Sequence, residues 1–363
     1  MKKIPLILSL ILVISLLAGC AGTPVVYYSN CTCPVDSHTA VSTPTAPATG
    51  TEEPAAESAL KTGMFITTSI RDSKSATADA EGEAKYDVTV VAVLVDDEGF
   101  IRDCIIDGIN TSVKFDATGT ITTDLTVAPQ TKNERGENYG MVAWGGAIAE
   151  WDKQAAAVAE ACVGKHYGSL RGSVVAESGY APEGTDLATS ATIYIGGYIE
   201  AIELAAASAQ HLGAQSGDTL KLAINNAIKS SVSATEEKEG TAQLDVDAAV
   251  VTMNGDVISS CYIDSVQAKV KFDRAGSVTT DVNTAPSTKN QLGEQYGMVA
   301  WGGAIAEWNE QAASFAAYVT GKTPAEVAGI AVTEATKPAD ADLAASVTIS
   351  IAGFQSLIAK AAQ

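Results

Sequence analysis

Two kinds of apolar pattern follow one another along the chain, and the succession occurs twice. Over residues 86–95 alternating apolar and polar positions lead into an unbroken apolar run, which is typical of a β-strand. Over residues 141–162 apolar residues recur every three or four positions, which predicts an amphipathic helix. The same patterns return at 244–253 and 298–319. Each half of the chain therefore reads as strands first and helices after.

The repetition is literal in one place. The thirteen residues 139–151, YGMVAWGGAIAEW, recur unchanged at 296–308. Composition bias does not explain a match that includes two Trp, one Met and one Tyr. We therefore predict two homologous domains, residues 61–210 and 217–363, each long enough for a core of its own. Every candidate functional residue then has a counterpart to be compared with.

Turn and stop signals support an α+β fold with an antiparallel sheet in each domain. Hairpin turns are predicted at 96–99 and at Asn254-Gly255. Further short strands are predicted at 112–116 and 120–124.

The long helix of each domain should end at Gly164 and at Gly321, because glycine is the common residue just past a helix. A closing helix should start near Gly197 in the first domain and near Gly353 in the second. Each domain is thus predicted to pack one long helix and one C-terminal helix on its sheet.

The N-terminus has the pattern of a secretory signal. Two lysines precede an apolar run over residues 4–17, and Leu-Ala-Gly-Cys follows, ending at Cys20. This sequence resembles a bacterial lipobox. The resemblance implies a signal peptide of residues 1–19, and acylation of Cys20 on its thiol and amino group. The protein is then expected on the extracytoplasmic face of the cell membrane, held by its lipid anchor.

Residues 20–60 comprise the lipidated Cys and a tether rich in Pro, Thr, Ser and Ala, whose composition predicts disorder. Cys31 and Cys33 lie in this tether. A redox or metal site there is one interpretation, but incidental or loop-bonded thiols are favoured, because no second pair and no His-rich stretch accompanies them.

The charge excludes one class of partner. The formal net charge is −20, and removal of Lys2 and Lys3 with the signal takes it to −22. Nucleic-acid binding depends on basic groups that neutralise phosphates, so it is not expected here. The acidic surface also disfavours adhesion to anionic lipid through charge.

The repeated helical segment raises two questions of chemistry. Its Trp and Met residues fall on the apolar stripe, so core packing is favoured over contact with a cofactor. Gly145 and Gly146 are costly inside a helix, which indicates close approach of a strand or of a ligand. Glu150 and Gln154 lie one turn apart; a surface pair is favoured over the edge of a site.

Common enzyme constellations are missing from the sequence. The three histidines, His38, His166 and His211, have no counterparts in the other repeat, and no phosphate-binding glycine loop occurs. No nucleophile–base pair is found either, so we predict a carrier or binding module rather than an enzyme.

Two pairs of residues with reactive groups do recur in both repeats. Cys104 and Cys261 are interpreted as buried small side chains. Asp107 and Asp264 are placed at strand ends, as turn caps or cation ligands.

A more specific motif lies near the end of each repeat. Residues 186–192 read DLATSAT and residues 342–348 read DLAASVT, each followed by a short apolar stretch and a helix. This resembles the flavin-attachment segment of the FMN-binding domain family, found in exported electron-carrying lipoproteins and in a subunit of the sodium-pumping quinone reductase.

The family motif implies specific roles for residues of this chain. Thr192 and Thr348 would each carry FMN through a phosphodiester bond, with Asp186 and Asp342 as the motif acids. Ser190 and Ser346 stand where the family has glycine. The alternative interpretation is a buried strand that simply contains two threonines.

The sequence therefore predicts a membrane-anchored electron-transfer lipoprotein with FMN on one or both domains and a redox partner in the membrane. If only one domain carries flavin, the first is expected to, because it retains more of the motif. The alternative is a non-catalytic envelope lipoprotein that kept the fold without flavin and binds a small ligand or a partner protein.

Overall fold

Each repeat begins with three antiparallel strands. In the computed structural model, which describes residues 58–363, the strands of the first repeat are β1 (Lys61–Ser69), β2 (Gly82–Val95) and β3 (Ile101–Phe115). Those of the second are β4 (Thr219–Ala227), β5 (Gly240–Asn254) and β6 (Val257–Phe272). Both sheets keep sequence order, with β2 and β5 in the centre. The predicted signal peptide and most of the predicted tether, including Cys20, Cys31 and Cys33, lie outside the described residues.

The helices follow the strands in both repeats, and the predicted α+β class with antiparallel sheets is confirmed. The first repeat has α1 (Lys132–Arg135), α2 (Met141–Gly145), α3 (Trp151–Cys162), α4 (Asp186–Ser190) and α5 (Gly196–Ala207). The second has α6 (Lys289–Leu292), α7 (Met298–Gly302), α8 (Trp308–Val319), α9 (Pro324–Ala328), α10 (Ala341–Ala344) and α11 (Ala352–Ala361). None of these helices is long and apolar enough to cross a membrane.

Local turn chemistry behaves as the sequence predicts. Gly99 and Gly255 have φ values of 90° and 57° in the two hairpin turns, a region that glycine enters without steric cost. Gly164 and Gly321 adopt φ values of 78° and 84° just after α3 and α8. The two closing helices begin at Gly196 and Ala352, within one residue of the prediction. The predicted strand at 120–124 is reduced to an isolated bridge between Phe115 and Ile121.

The first strand of each sheet is not evident in the sequence. β1 contains Gly63 and three threonines, so it lacks a clear alternation of apolar residues. Its place is fixed by α5, which packs so closely that a Cβ at Gly63 would lie 2.2 Å from the carbonyl oxygen of Ala205. Glycine is therefore required by the helix above the strand, a contact between residues far apart in sequence.

The two sheets pack face to face around one shared core. Side chains at alternate positions of β2, among them Val88, Val90 and Leu94, join residues of β5 and β6 in this core. The intervening positions, such as Val91 and Val93, face the helices of their own repeat. The result is four layers, helices outside and sheets inside, and it explains why β2 is an unbroken apolar run.

Reciprocal contacts relate the repeats by an approximate two-fold axis. At one end of the sheets, the Ala76 amide donates to the Gly276 carbonyl at 2.7 Å and the Ala234 amide donates to the Gly119 carbonyl at 2.8 Å. At the opposite end, which carries the hairpin turns 96–100 and 255–256, the hydroxyls of Thr62 and Ser260 lie 2.7 Å apart. The strands of the two sheets are therefore aligned, with like ends together.

One prediction about the helices is wrong. The continuous helix expected over 141–162 is broken, because Gly146 has φ 63° and ends α2, and α3 starts only at Trp151. Gly303 breaks the second repeat in the same way at φ 61°. A Cβ added at Gly145 or Gly146 would have no heavy atom of a neighbouring element of the described chain within 4 Å, so close packing of a strand is not the reason for these glycines.

The break moves part of the apolar stripe to the surface. Trp151 and Trp308 are buried, as predicted, together with Ala155, Val158 and Cys162. Trp144 and Trp301, in contrast, are 83% and 84% exposed, so the expectation that they pack in the core is wrong. The spacing of apolar residues cannot predict that one glycine adopts the left-handed conformation. The apolar face of α2 is therefore not continued by the apolar face of α3.

The shared core is tested by its central aromatic pair. The rings of Phe115 and Phe272 are buried and stack with centroids 3.9 Å apart and planes within 2° of parallel. We expect Phe115→Ala to lower the free energy of unfolding by about 3–5 kcal/mol, measured by urea denaturation. Phe100→Ala, at a part-exposed ring, should cost no more than about 1 kcal/mol. A Phe115→Ala loss as small as that control would contradict a core shared through this pair.

Candidate functional site

The two candidate flavin-attachment threonines lie between the last two helices of their repeats, outside any strand. Thr192 follows α4, and Thr348 follows α10. The alternative interpretation, a buried strand, is wrong, because neither residue belongs to a β-strand and Thr192 is exposed. Each threonine lies instead on a short irregular stretch that leads into the closing helix.

A buried glutamine holds each of these stretches. Gln154, on α3, has no exposed surface. Its Oε1 accepts the amides of Thr192 at 2.8 Å and Ile193 at 3.3 Å, and the Thr192 hydroxyl donates to it at 3.4 Å. Its Nε2 donates to the carbonyl of Ala149 at 2.8 Å. One side chain thus joins the thirteen-residue segment to the candidate attachment site.

The second repeat reproduces this arrangement. The amide of Thr348 donates to Oε1 of Gln311 at 2.7 Å, and its hydroxyl donates at 3.2 Å. Nε2 of Gln311 donates to the carbonyl of Ala306 at 2.8 Å. The amide of Ile349 donates to Oε1 of Gln311 at 3.2 Å, so the same four groups are bound to the glutamine in both repeats.

The motif acids and serines sit on the neighbouring short helices. Asp186 lies in the first turn of α4, and the Ser190 hydroxyl donates to the Asp186 carbonyl at 3.2 Å. In the second repeat Asp342 lies in the first turn of α10, and Ser346 donates to the Leu343 carbonyl. All four motif side chains are exposed, and within residues 58–363 neither aspartate forms an ion pair. The structure brings acid, serine and threonine into one segment without hydrogen bonds between their side chains.

Glu150 and Gln154 are not the surface pair that was favoured. The carboxylate of Glu150 is 8% exposed and accepts the amides of Met141 at 2.8 Å and Val142 at 3.0 Å. Glu307 holds Met298 and Val299 in the same way at 2.8 and 2.9 Å. Each glutamate therefore satisfies free amides at the start of a short helix, where its charge is favourable.

The hydrogen bonds from Glu150 and Glu307 hold a surface feature that we call the tryptophan tip. It comprises residues 140–149 in the first repeat and 297–306 in the second. Gly140 has φ 83°, and a Cβ there would lie 2.5 Å from the ring of Trp144. The indole therefore lies across bare backbone and projects into solvent. Val142 and Ile148, in the same tip, are 46% and 55% exposed. Sequence periodicity missed this feature; the glycines on both sides of each tip are the signal that marks it.

A lysine lies under each helical layer, buried in the first repeat and half-buried in the second. Lys132 is buried, with its Nζ 4.7 Å from the centre of a Trp151 ring and 3.3 Å from a carboxylate oxygen of Asp87. In the second repeat Lys289 lies 4.4 Å over Trp308, and burial lowers its pKa. These cation–π contacts fix the start of α3 and α8 against the preceding turn. They account for the buried Trp of each repeated segment.

Asp107 and Asp264 lie in the middle of β3 and β6, so their placement at strand ends is wrong. They do act as caps. Oδ1 of Asp107 accepts the Asn133 amide at 3.0 Å, and Oδ1 of Asp264 accepts the Asn290 amide at 3.1 Å. Burial raises the pKa of both carboxyls, that of Asp264 to about 6. No group of three His, Cys, Asp or Glu in residues 58–363 is arranged to hold a metal ion.

The cysteines of the described region are buried free thiols. Burial raises the pKa of Cys162 and Cys261 to about 12 and raises that of Cys104 as well. The interpretation of Cys104 and Cys261 as buried small side chains is confirmed. Such thiols are poor nucleophiles, because the thiolate is the reactive form.

One feature of the site has no signal in the sequence. A cleft of about 740 Å³ opens between β1, the start of α5 and a loop of the second repeat; its walls include Phe65, Tyr194, Tyr198 and Val282. Tyr194 is two residues from Thr192. The hydroxyl oxygen of Thr68, also in the wall, is buried and has no hydrogen-bond partner in the described part of the chain. The cleft exists only because the two repeats meet, which a reading of either repeat alone does not reveal.

In the second repeat, side chains cross the space that corresponds to this cleft. Nδ2 of Asn225 donates to the hydroxyl of Ser356 at 3.2 Å. Lys360 spans the gap and donates to the carbonyl of Ile224, and it also pairs with Glu134 of the first repeat. In the first repeat Glu200 and Leu204 stand where the second has Ser356 and Lys360. The repeats are therefore alike at their threonines and different beside them.

Comparison with known proteins identifies no relative of this chain. No protein-family model matches the chain, and neither the curated proteins nor the solved structures contain a match. Internal comparison of the two repeats thus remains the guide to function.

Gln154 is predicted to be essential to the site's architecture. We expect Gln154→Ala to lower the free energy of unfolding by about 2–4 kcal/mol, because it leaves three part-buried backbone groups without their partner and opens a cavity. Urea denaturation measures the loss. Gln210→Ala, at an exposed side chain, should change stability by less than about 0.5 kcal/mol. Equal stability of the two variants would show that the glutamine does not hold the Thr192 segment.

Burial of Asp264 predicts a pH dependence. Its folded pKa of about 6 lies above the ordinary value of 3.8, so the folded state binds the proton more tightly than the unfolded state does. The contribution of this group is therefore most favourable below pH 4 and is lost as the pH rises to 6, by up to about 3 kcal/mol. Asp264→Asn should remove this dependence, seen as a flatter stability profile between pH 4 and 7.

Asp116 should show the opposite pH dependence. Hydrogen bonds from Thr118 and Thr120 lower the pKa of Asp116, so its contribution grows as the pH rises. The effect of Asp116→Asn should therefore have the opposite sign. A profile of Asp264→Asn that parallels the wild type would contradict the raised pKa.

Proposed function

We propose that this protein is a membrane-anchored, extracytoplasmic electron-transfer lipoprotein that carries FMN on Thr192, on Thr348 or on both. The proposal is carried by the shared hydrogen bonding of the two threonines. A fully buried glutamine accepts the backbone amide and the hydroxyl of each one, shortly before a helix. Bound flavin would accept and release electrons, and the protein would hold and orient it.

The residues present are compatible with an attached phosphate. Thr192 is exposed, and within residues 58–363 its hydroxyl forms one hydrogen bond, the long one to Gln154. The two amide bonds to Gln154 would remain after the hydroxyl is esterified. An ester at this position therefore needs no rearrangement of the buried side chain.

The serines in place of the family's glycine do not obstruct this. Thr336 is the one non-glycine residue of the described chain with positive φ, so Ser190 and Ser346 adopt backbone conformations that any residue tolerates. Their side chains are exposed and point away from the packed layers. A glycine is not required by the backbone at either position.

The first repeat is the better candidate of the two. Its cleft starts two residues beyond Thr192 and offers two tyrosines, Tyr194 and Tyr198, as walls. In the second repeat Lys360 and the Asn225–Ser356 bond occupy the corresponding place. A volume of about 740 Å³ is within the range of small-molecule and cofactor sites.

The cleft also favours a second candidate function, a binding module without flavin. The unpartnered hydroxyl of Thr68 and the tyrosines of the wall suit a small ligand that combines an apolar ring with a hydrogen-bonding group. On this view the two threonines serve only to position the closing helices. The protein would remain a lipid-anchored envelope component in either case.

Flavin attachment is tested by the mass and colour of the full chain, produced in a host that lipidates it and supplies a flavin-transfer enzyme. We expect absorption near 450 nm and a gain of about 440 Da for each occupied threonine. Thr192→Ala and Thr348→Ala should each remove one addition where both are occupied. Thr189→Ala, at an exposed threonine three residues earlier, is the matched control and should keep the flavin. A wild-type mass equal to that of the bare lipoprotein, or colour that survives the double variant, would refute the assignment.

A further inference from the structure

The exposed apolar side chains of the tryptophan tips are retained in both repeats. Trp144, Val142 and Ile148 recur as Trp301, Val299 and Ile305, and all six are exposed. On the helices that follow, buried Gln154 is also retained, as Gln311, whereas buried Val158 corresponds to Phe315. Core packing explains why buried side chains are kept, but it does not explain why exposed Trp, Val and Ile side chains are kept.

Each tip is a firmly held protrusion. A buried glutamate binds its first two helical amides, a buried glutamine binds its last carbonyl, and Gly146 closes the short helix. The indole is thereby presented without being packed. Because the tip projects from the surface, its binding partner must be something that the tip can enter, either a soft medium or a cavity.

The tips themselves carry no charge, since residues 140–149 and 297–306 contain no charged side chain. Beside them the acidic Glu137 is retained as Glu294, whereas the basic Arg135 corresponds to Leu292 and Lys153 to Glu310. No basic group next to the tips is therefore common to the two repeats, as an acidic partner would require. Apolar and indole groups alone remain, the combination that settles at the interface of a bilayer.

The position of the tips allows them to reach the anchoring membrane. The chain enters β1 at Lys61, near the hairpin turns, and Ser69 pairs with Asp87 at the level of Lys132 and Trp151. Eight residues of strand separate these levels by about 26 Å. The 37 residues between Cys20 and Ser58 span up to about 120 Å when extended. An anchor at Cys20 therefore leaves ample chain for a tip to contact the same bilayer.

We propose that the tryptophan tips are membrane-insertion elements, which dock the folded part of the protein on the bilayer that holds its lipid anchor. Trp144 and Trp301 enter the interfacial region, with the flanking valines and isoleucines beneath the headgroups. The proposal rests on the proposed lipid anchor for proximity and is independent of flavin. Docking would hold the Thr192 and Thr348 segments close to the membrane, because Gln154 and Gln311 tie them to the tips.

Vesicle flotation of the mature chain with Cys20→Ser, which removes the acyl anchor, tests the tips alone. The probe is a vesicle of zwitterionic phosphatidylcholine, since the net charge of the chain opposes anionic lipid. We expect the protein to float with the vesicles, and brominated acyl chains to quench its tryptophan fluorescence. The combined variant Trp144→Ala and Trp301→Ala should bind at least about tenfold more weakly, because each indole contributes a large apolar area.

Two controls separate insertion from general stickiness and from misfolding. Trp144→Phe with Trp301→Phe retains an aromatic ring at each tip and should keep most of the binding. Tyr180→Ala removes an exposed aromatic side chain outside the tips and should change nothing. All variants should unfold at the same urea concentration, because each tip indole contacts little beyond its own glycine.

Three results would overturn the proposal. They are a wild-type chain that does not float, flotation unchanged by the double alanine variant, and sedimentation showing that the tips join two copies of the chain. None of these depends on whether flavin is attached, so failure here is distinguishable from failure of the proposed function. Likewise, an absent flavin would leave the vesicle result intact.

Discussion

Each sheet of this protein has two apolar faces but only one set of helices to cover them. In β2 the alternate residues Val90 and Leu94 point away from the helices, and they are fully or almost fully buried. They are buried because the sheet of the other repeat lies against them. A single three-stranded sheet with helices on one side would leave that face in water. Burial of apolar area is the main favourable term in folding, so the pairing of the sheets is the constraint on which the rest depends.

That constraint divides the molecule into an inner part that serves stability and an outer part that is free for chemistry. The paired sheets, centred on Phe115 and Phe272, join the repeats. The helical layers lie outside, and each carries the same network of Glu, Gln and Thr. In this network Gln154 bonds both the tryptophan tip and the Thr192 segment, so the two surface features of a repeat are held by one buried side chain. The two repeats could therefore differ beside the threonines, as they do at the Lys360 bridge, while both keep this network of hydrogen bonds.

Much of the fold could be predicted from local pattern. The alternation in β2, the Asn254-Gly255 turn and the glycine stops after α3 and α8 depend on neighbours in sequence, and the structure contains all of them. β1 escaped prediction because its burial and Gly63 are set by contact with Ala205, more than a hundred residues away. The broken helix escaped for another reason. Periodicity averages over a window, whereas the conformation of Gly146 alone decides where α2 ends.

The candidate site was predictable in part. Thr192 and Thr348 came from a short motif, and the structure places both beside a surface in equivalent surroundings. Their partners Gln154 and Gln311 were seen in the sequence but read as surface residues, because spacing on a helix cannot say which face another segment covers. The cleft beside Tyr194 had no signal, since one of its walls comes from the other repeat.

The sequence by itself determined the duplication, the order of strands and helices, the turns and the pair of threonines. These depend on identity and on short-range backbone preferences, which need no partner in space. Only the tertiary structure decided that Trp151 is buried while Trp144 projects into solvent, although both belong to the same unchanged segment. The physical reason is that burial depends on what packs against a side chain. A single left-handed glycine between the two tryptophans turns one towards the sheet and the other towards water.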